Sequence, residues 1–186
     1  STQTLSNKTF VAPALGTPAS GVLTNATFPA GHITNVFTFT INSGNYDSTG
    51  TTEKVAHTSQ SFTAISGRKY IVCWNGEYQT WDTTSNTSAR LAMVELYYDT
   101  SSSSQGDTSS FGTSIQQQSG GRWLISDSTA AAQFNSNILL QGVFTASSSA
   151  THYIHVTIDG TDSGSLVRAS ATTAKPINIV VFEVMT

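Results

Sequence analysis

Lys69-Tyr70-Ile71-Val72-Cys73-Trp74-Asn75-Gly76-Glu77-Tyr78-Gln79-Thr80-Trp81 is the stretch whose periodicity decides the fold. Tyr70, Val72, Trp74 and Tyr78 sit at even positions, so an extended strand places them on one face. Ile71 and Cys73 fall on the opposite face. Cys73 reads as a buried, inert thiol, because free cysteine is usually packed away.

The same period extends outward along the chain. Phe37, Phe39 and Ile41 alternate with Thr38 and Thr40, the mark of a half-buried strand. Further strands are predicted at Val55–Ile65, Ala89–Tyr98, Phe111–Gln118, Arg122–Ile125, Asn137–Thr145, Thr151–Ile158, Leu166–Ala171 and Pro176–Met185. Asn42–Thr52, Asp82–Ser88 and Asp99–Ser110 read as polar turns or loops, Gly120-Gly121 as a link between strands, and Asp159-Gly160 as a hairpin turn. One helical turn is expected at Ala130–Phe134. Short strands separated by frequent turns define an all-β antiparallel sandwich. The last strand sets Ile177, Ile179 and Val181 against Val180, Phe182 and Val184. It is therefore expected to be central, with one face on the core and the other available to a subunit interface.

Composition narrows the function. Charged residues make up 10% of the 186-residue chain and the formal net charge is −3, while Ser and Thr together account for roughly 30%. Hydroxyls and amides, more than charges, must carry solubility. The eight Lys and Arg residues are scattered, so no basic stripe offers phosphates a path, and nucleic acid is not an expected partner. No apolar run reaches the length of a membrane span, so no membrane insertion is expected. There is no signal-peptide pattern, and a start at Ser1 fits a processed product or a fragment.

Residues 1–31 differ from the rest. Leu5-Ser6-Asn7-Lys8-Thr9-Phe10 recurs as Leu23-Thr24-Asn25-Ala26-Thr27-Phe28, and each copy is soon followed by a Pro-Ala pair. Pro13, Pro18 and Pro29 remove backbone donors, which suits an extended chain with tight turns. So few apolar residues cannot form a core alone, and repeat units bury theirs against neighbours. The chain therefore divides into an extended stalk, 1–31, and a sandwich head, 32–186. Leu5, Phe10, Leu15, Val22, Leu23 and Phe28 would face a threefold axis or partner chains.

The segment Gly16–His32 resembles the linkers of bacteriophage tail-fibre and other virion structural proteins, marine phages above all. There, Leu-Thr-Asn-x-Thr repeats precede a Thr/Ser-rich C-terminal β domain. The Gly67-Arg68-Lys69-Tyr70 start and the apolar final strand also resemble the trimeric jelly rolls of the tumour-necrosis-factor type. The resemblance implies a homotrimeric fibre or fibre-tip protein on the phage particle, made in the host cytoplasm. It would join other virion proteins through its N-terminal segment and adhere to a host-surface glycan or protein. The alternative is a purely structural virion component, such as a capsid decoration or tail connector, without receptor binding.

No catalytic grouping is expected. His152-x-x-His155 places its two rings on opposite faces of a strand, which cannot chelate one metal, so no metal or other cofactor is assigned. Glu77 and Asp82 are five apart and would also diverge, unlike a glycosidase pair. Aromatic residues hold the functional interest. Trp81 with Asp82, Arg122 with Trp123, and Tyr46 combine apolar ring faces with polar neighbours, the chemistry that suits a sugar ring.

Overall fold

The computed structural model describes residues 30–82, 90–123, 133–160 and 165–186. Eleven strands follow one another: β1 (Ile33–Ile41), β2 (Gly44–Thr49), β3 (Lys54–Val55), β4 (Gln60–Thr63), β5 (Lys69–Asp82), β6 (Arg90–Asp99), β7 (Thr113–Trp123), β8 (Gln133–Thr145), β9 (Thr151–Gly160), β10 (Ser165–Ala171) and β11 (Ile177–Val184). No helix occurs among the described residues. The expected helical turn is overturned where it is described, since Gln133 and Phe134 belong to β8.

The strands form two antiparallel sheets, as an all-β sandwich requires. Sheet A runs β1-β11-β5-β10-β2, with β8 on the other side of β5; sheet B runs β3-β9-β6-β7, with β4 also on β9. β5 is the spine of sheet A. β8 pairs with it from Lys69 to Trp81, while its other side is shared by β11 over Lys69–Asn75 and β10 over Glu77–Asp82. The C-terminal strand is central as expected, lying between β1 and β5. Tyr70, Val72, Trp74 and Tyr78 of β5 are buried between the sheets with Leu96, Leu140, Ile154, Ile158, Ile177 and Ile179.

Strand assignments differ from the sequence reading in several places, each for a physical reason. β2 lies inside the predicted turn Asn42–Thr52. Its sequence, Gly-Asn-Tyr-Asp-Ser-Thr, carries almost no apolar signal because among the described residues it is an edge strand paired with β10, and its outer side chains are held by polar contacts. Val55–Ile65 is broken into β3 and β4. Between them Ala56 still bonds to Val156, but His57 turns inward and interrupts the ladder. Gly120-Gly121 does not separate two strands. β7 runs through it, and the pairing with β6 jumps from Leu91↔Arg122 to Met93↔Ser119, so the two glycines are taken up as a bulge.

β7 also closes one edge of the sandwich. The Gln116 side chain accepts a hydrogen bond from the Gln141 backbone N–H of β8. Ile115 lies so close to Gly142 that a Cβ there would sit 2.7 Å from its Cγ1, which explains a glycine in the middle of a strand.

The two ends of the molecule differ. At the near end, Gly31 N–H donates to the Met185 carbonyl (2.7 Å) beside the Ile33↔Val184 and Lys69↔Thr145 pairs. Residues 1–29 thus join the sandwich next to its last strand. At the far end lie Asp82, Arg90, Trp123, Gln133, Gly160 and Ser165. Lys69 to Trp81 spans about 40 Å at the usual rise of an extended chain.

Candidate functional site

The far end gathers four of the five residues proposed for ligand contact. Trp81 and Asp82 are the last two residues of β5, in register with Leu166 and Ser165 of β10. Arg122 and Trp123 are the last two of β7, opposite Leu91 and Arg90 of β6. Residues 83–89 connect Asp82 to Arg90, so the two pairs end their strands at the same pole, one on each sheet. Tyr46 is set apart. It pairs with Ala169 in the middle of β2, is half-buried against the core, and packs on the 99–112 connection, where a Cβ on Gly106 would lie 3.0 Å from its hydroxyl. The stalk residues Leu5, Phe10, Leu15, Val22, Leu23 and Phe28 lie outside the described residues.

Three of the four histidines are absorbed by packing. His152 lies among Phe62, Phe144 and Tyr98, with ring centroids 5.9 to 6.3 Å away. His155, three residues on, stacks instead on Tyr97 at 5.7 Å. The two rings diverge, as strand geometry predicts. Burial holds the His155 imidazole below its usual range, against the opposing pull of Asp99, the Phe111 backbone and Asp107. His57 is buried, and both of its ring nitrogens are engaged. Trp74 Nε1–H donates to Nε2 (3.1 Å), and Nδ1 donates to the Thr58 carbonyl (3.1 Å). That pattern needs the neutral ring. Burial lowers its pKa to about 4, the Thr58 bond opposing and the nearby His155 adding to the shift. A cavity of about 140 Å³ lined by Ile41, Ser43, His57, Thr58, Gln60 and Gln105 opens beside it.

The acidic residues separate into two settings. Glu77 is paired with Lys175 Nζ (2.5 Å) and accepts from Gln79. On the outer face of sheet B, Glu53 accepts from Tyr97 Oη (3.0 Å) and Thr157 Oγ1 (2.6 Å). Asp159 lies nearby, its pKa pushed up to about 6 by burial and then by the charges of Glu53 and Glu95. Asp159 and Gly160 are not a hairpin turn. They continue β9, opposite Met93 and Ala92, because the apolar ladder of β6 extends that far.

The feature the sequence reading located only in part is on the outer face of sheet A. In register across β1, β11, β5 and β8, Val36, Phe182, Ile71 and Val143 form one row; Thr38, Val180, Cys73 and Gln141 form the next. Cys73 is therefore half-buried on this outer face and not in the core, its pKa raised by burial. The apolar second faces of β5 and β11 were the available signal. Their pairing partners in β1 and β8 could not be read without the topology.

Fold and site together define an antiparallel β-sandwich protein with Gly31 at one pole and the strand ends that carry Trp81 and Trp123 at the other. No protein-family model matches the chain, and no curated protein matches it significantly. Solved structures similar to it include particles of infectious bursal disease virus. The Gt strain structure is 14% identical, covering 91% of this chain and 41% of that one at a TM-score of 0.36. The Gx strain is 16% identical over 94% and 41%, TM-score 0.38. The VP2 subviral particle of that virus is 15% identical over 94% and 42%, TM-score 0.36. This chain spans about two fifths of the length of those viral chains.

Proposed function

We propose that the chain is a non-enzymatic virion structural protein of the fibre or fibre-tip type. In this reading it is a homotrimer on the particle surface, joined to other virion proteins through residues 1–31. The far pole binds a host-surface glycan or protein. The observation that carries this reading is polarity. Gly31 meets Met185 at the near end, whereas Trp81, Asp82, Arg122 and Trp123 close the far ends of β5 and β7. A tip protein must present its contact surface away from its attachment, and this chain separates the two by the whole length of β5. The Leu-(Ser/Thr)-Asn-x-Thr-Phe repeat, with its likeness to phage fibre linkers, supports the attachment role. Three modest sites on one rigid trimer would reach useful avidity without a strong single contact.

Glycan-array screening of the full chain tests the reading, with Trp81→Ala and Trp123→Ala as paired variants. A wild-type signal that falls at least tenfold in both variants supports far-pole recognition, since stacking on a tryptophan face is a main source of sugar affinity. A silent array favours the purely structural alternative of a capsid decoration or tail connector.

A further inference from the structure

The outer face of sheet A is divided along its length. Its far half carries polar side chains that are internally paired around Glu77 and Arg168. Arg168 forms a two-pronged ion pair with Asp47, Lys175 reaches Glu77, and Ser170 donates to Asn45. The near half carries the row Val36–Phe182–Ile71–Val143, flanked by Thr38–Val180–Cys73–Gln141 and Thr40–Asn178–Asn75–Leu139. Beyond the first row lie Ile33, Val184, Lys69 and Thr145. Across these four rows Lys69, at the rim, is the one formally charged side chain. Val36, Val143, Leu139 and Ile33 keep 46%, 54%, 62% and 56% of their surface exposed. Apolar area gathered on one face of a soluble domain usually marks a contact surface.

We infer that this near half is where copies of the chain pack on one another. The inference rests on the trimer reading above and gives it a surface on the head. A second copy is the occupant for two reasons. The face is free of ionic groups except at its rim, so a chain of net charge −3 can meet itself there without like charges opposing. And residues 1–29 join the sandwich at Ala30–Gly31, beside Ile33 and Val184, at the border of this same face. Copies held together by their N-terminal segments have this half of the sheet, and not the far half, closest to their neighbours.

The test uses the full chain and two readouts. Light scattering over a dilution series gives the oligomeric state, and the rate at which Cys73 reacts with a thiol reagent reports whether the middle of the face is covered. The variant is Val36→Glu with Val143→Glu, both exposed enough for the new carboxylates to reach water in the free head. Circular dichroism and melting confirm its fold, and Leu139→Lys is the fallback if it melts early. Expected are a wild-type oligomer with a slow thiol, and a variant that dissociates at tenfold or more higher concentration with a fast one. An oligomer that survives the substitutions with Cys73 equally reactive in both proteins overturns the inference. It would leave association to residues 1–31 and the proposed function intact. A wild-type monomer over the whole series overturns both this surface and the trimer.

Discussion

At the scale of single residues, the chain keeps one histidine neutral by giving both of its nitrogens fixed work. His57 accepts from the Trp74 indole and donates to Thr58 inside the core. Burial disfavours the charged ring and lowers its pKa to about 4, and a proton on Nε2 would also set two donors facing each other. The folded state binds this proton less readily than the unfolded chain, whose histidine titrates near 6.5. The contribution to stability is therefore complete above pH 6.5 and is lost as the pH falls toward 4. At about 1.4 kcal/mol per pH unit, the loss is about 3 kcal/mol. His57→Gln keeps an acceptor for Trp74 and removes the titration. Urea unfolding at pH 6.5 and pH 4 should show the wild type losing about 3 kcal/mol more than this variant; parallel losses would show that His57 is charged in the fold.

At the scale of elements, the near end is held by a polar cluster that joins three strands. Glu183 of β11 accepts from Thr34 Oγ1 of β1 (2.7 Å), from Tyr70 Oη of β5 (3.1 Å), and from Arg68, just before β5. Burial works to raise the Glu183 pKa, but the hydrogen bonds from Thr34, Arg68 and Tyr70 and the Arg68 charge outweigh it and hold the carboxyl below its usual range. Removing Arg68 leaves that carboxylate buried with neutral donors alone. Arg68→Ala should cost about 2–4 kcal/mol at pH 7, somewhat below the cost of breaking a fully buried pair because the Arg68 side chain is 27% exposed. The deficit should shrink as the solution is acidified, because Glu183 without the Arg68 charge takes up a proton more readily in the variant and then needs no counter-charge. An equal deficit at neutral and acidic pH would show that Arg68 acts through packing of its stem.

This cluster marks the boundary of what the sequence made legible. The strands with strong alternation, β1, β5, β9 and β11, were readable because one face of each meets the core. Arg68 and Glu183 are 115 positions apart, and nothing local links them. β2 was hidden because Asp47, Asn45 and Ser48 are satisfied by Arg168, Ser170 and the Thr52 carbonyl, so its polarity reads as a turn. The His152–His155 divergence followed from strand geometry alone. The placement of Trp81 and Trp123 at a common pole did not, because it depends on the pairing of β5 with β10 and of β6 with β7.

At the scale of the whole molecule, the sandwich sorts its surface chemistry by position. Paired charges occupy the far half of sheet A, carboxylates crowd the outer face of sheet B around Glu53 and Asp159, and the near half of sheet A is almost uncharged. This arrangement fixes how association should respond to salt. Contacts between Lys or Arg and carboxylates weaken as ions screen them, with a screening length of about 10 Å at 0.1 M and about 3 Å at 1 M. Burial of Val36, Ile71, Val143 and Phe182 has no such dependence and strengthens in sulfate, which is excluded from protein surface. Sedimentation equilibrium of the full chain should therefore give an association constant within about threefold between 0.05 and 1 M sodium chloride, and a larger one in sodium sulfate of equal ionic strength. A fall of tenfold or more on adding chloride would show that ion pairs hold the copies together. The contact would then have to lie off the near half of sheet A, where Lys69 is the one charge available to make them.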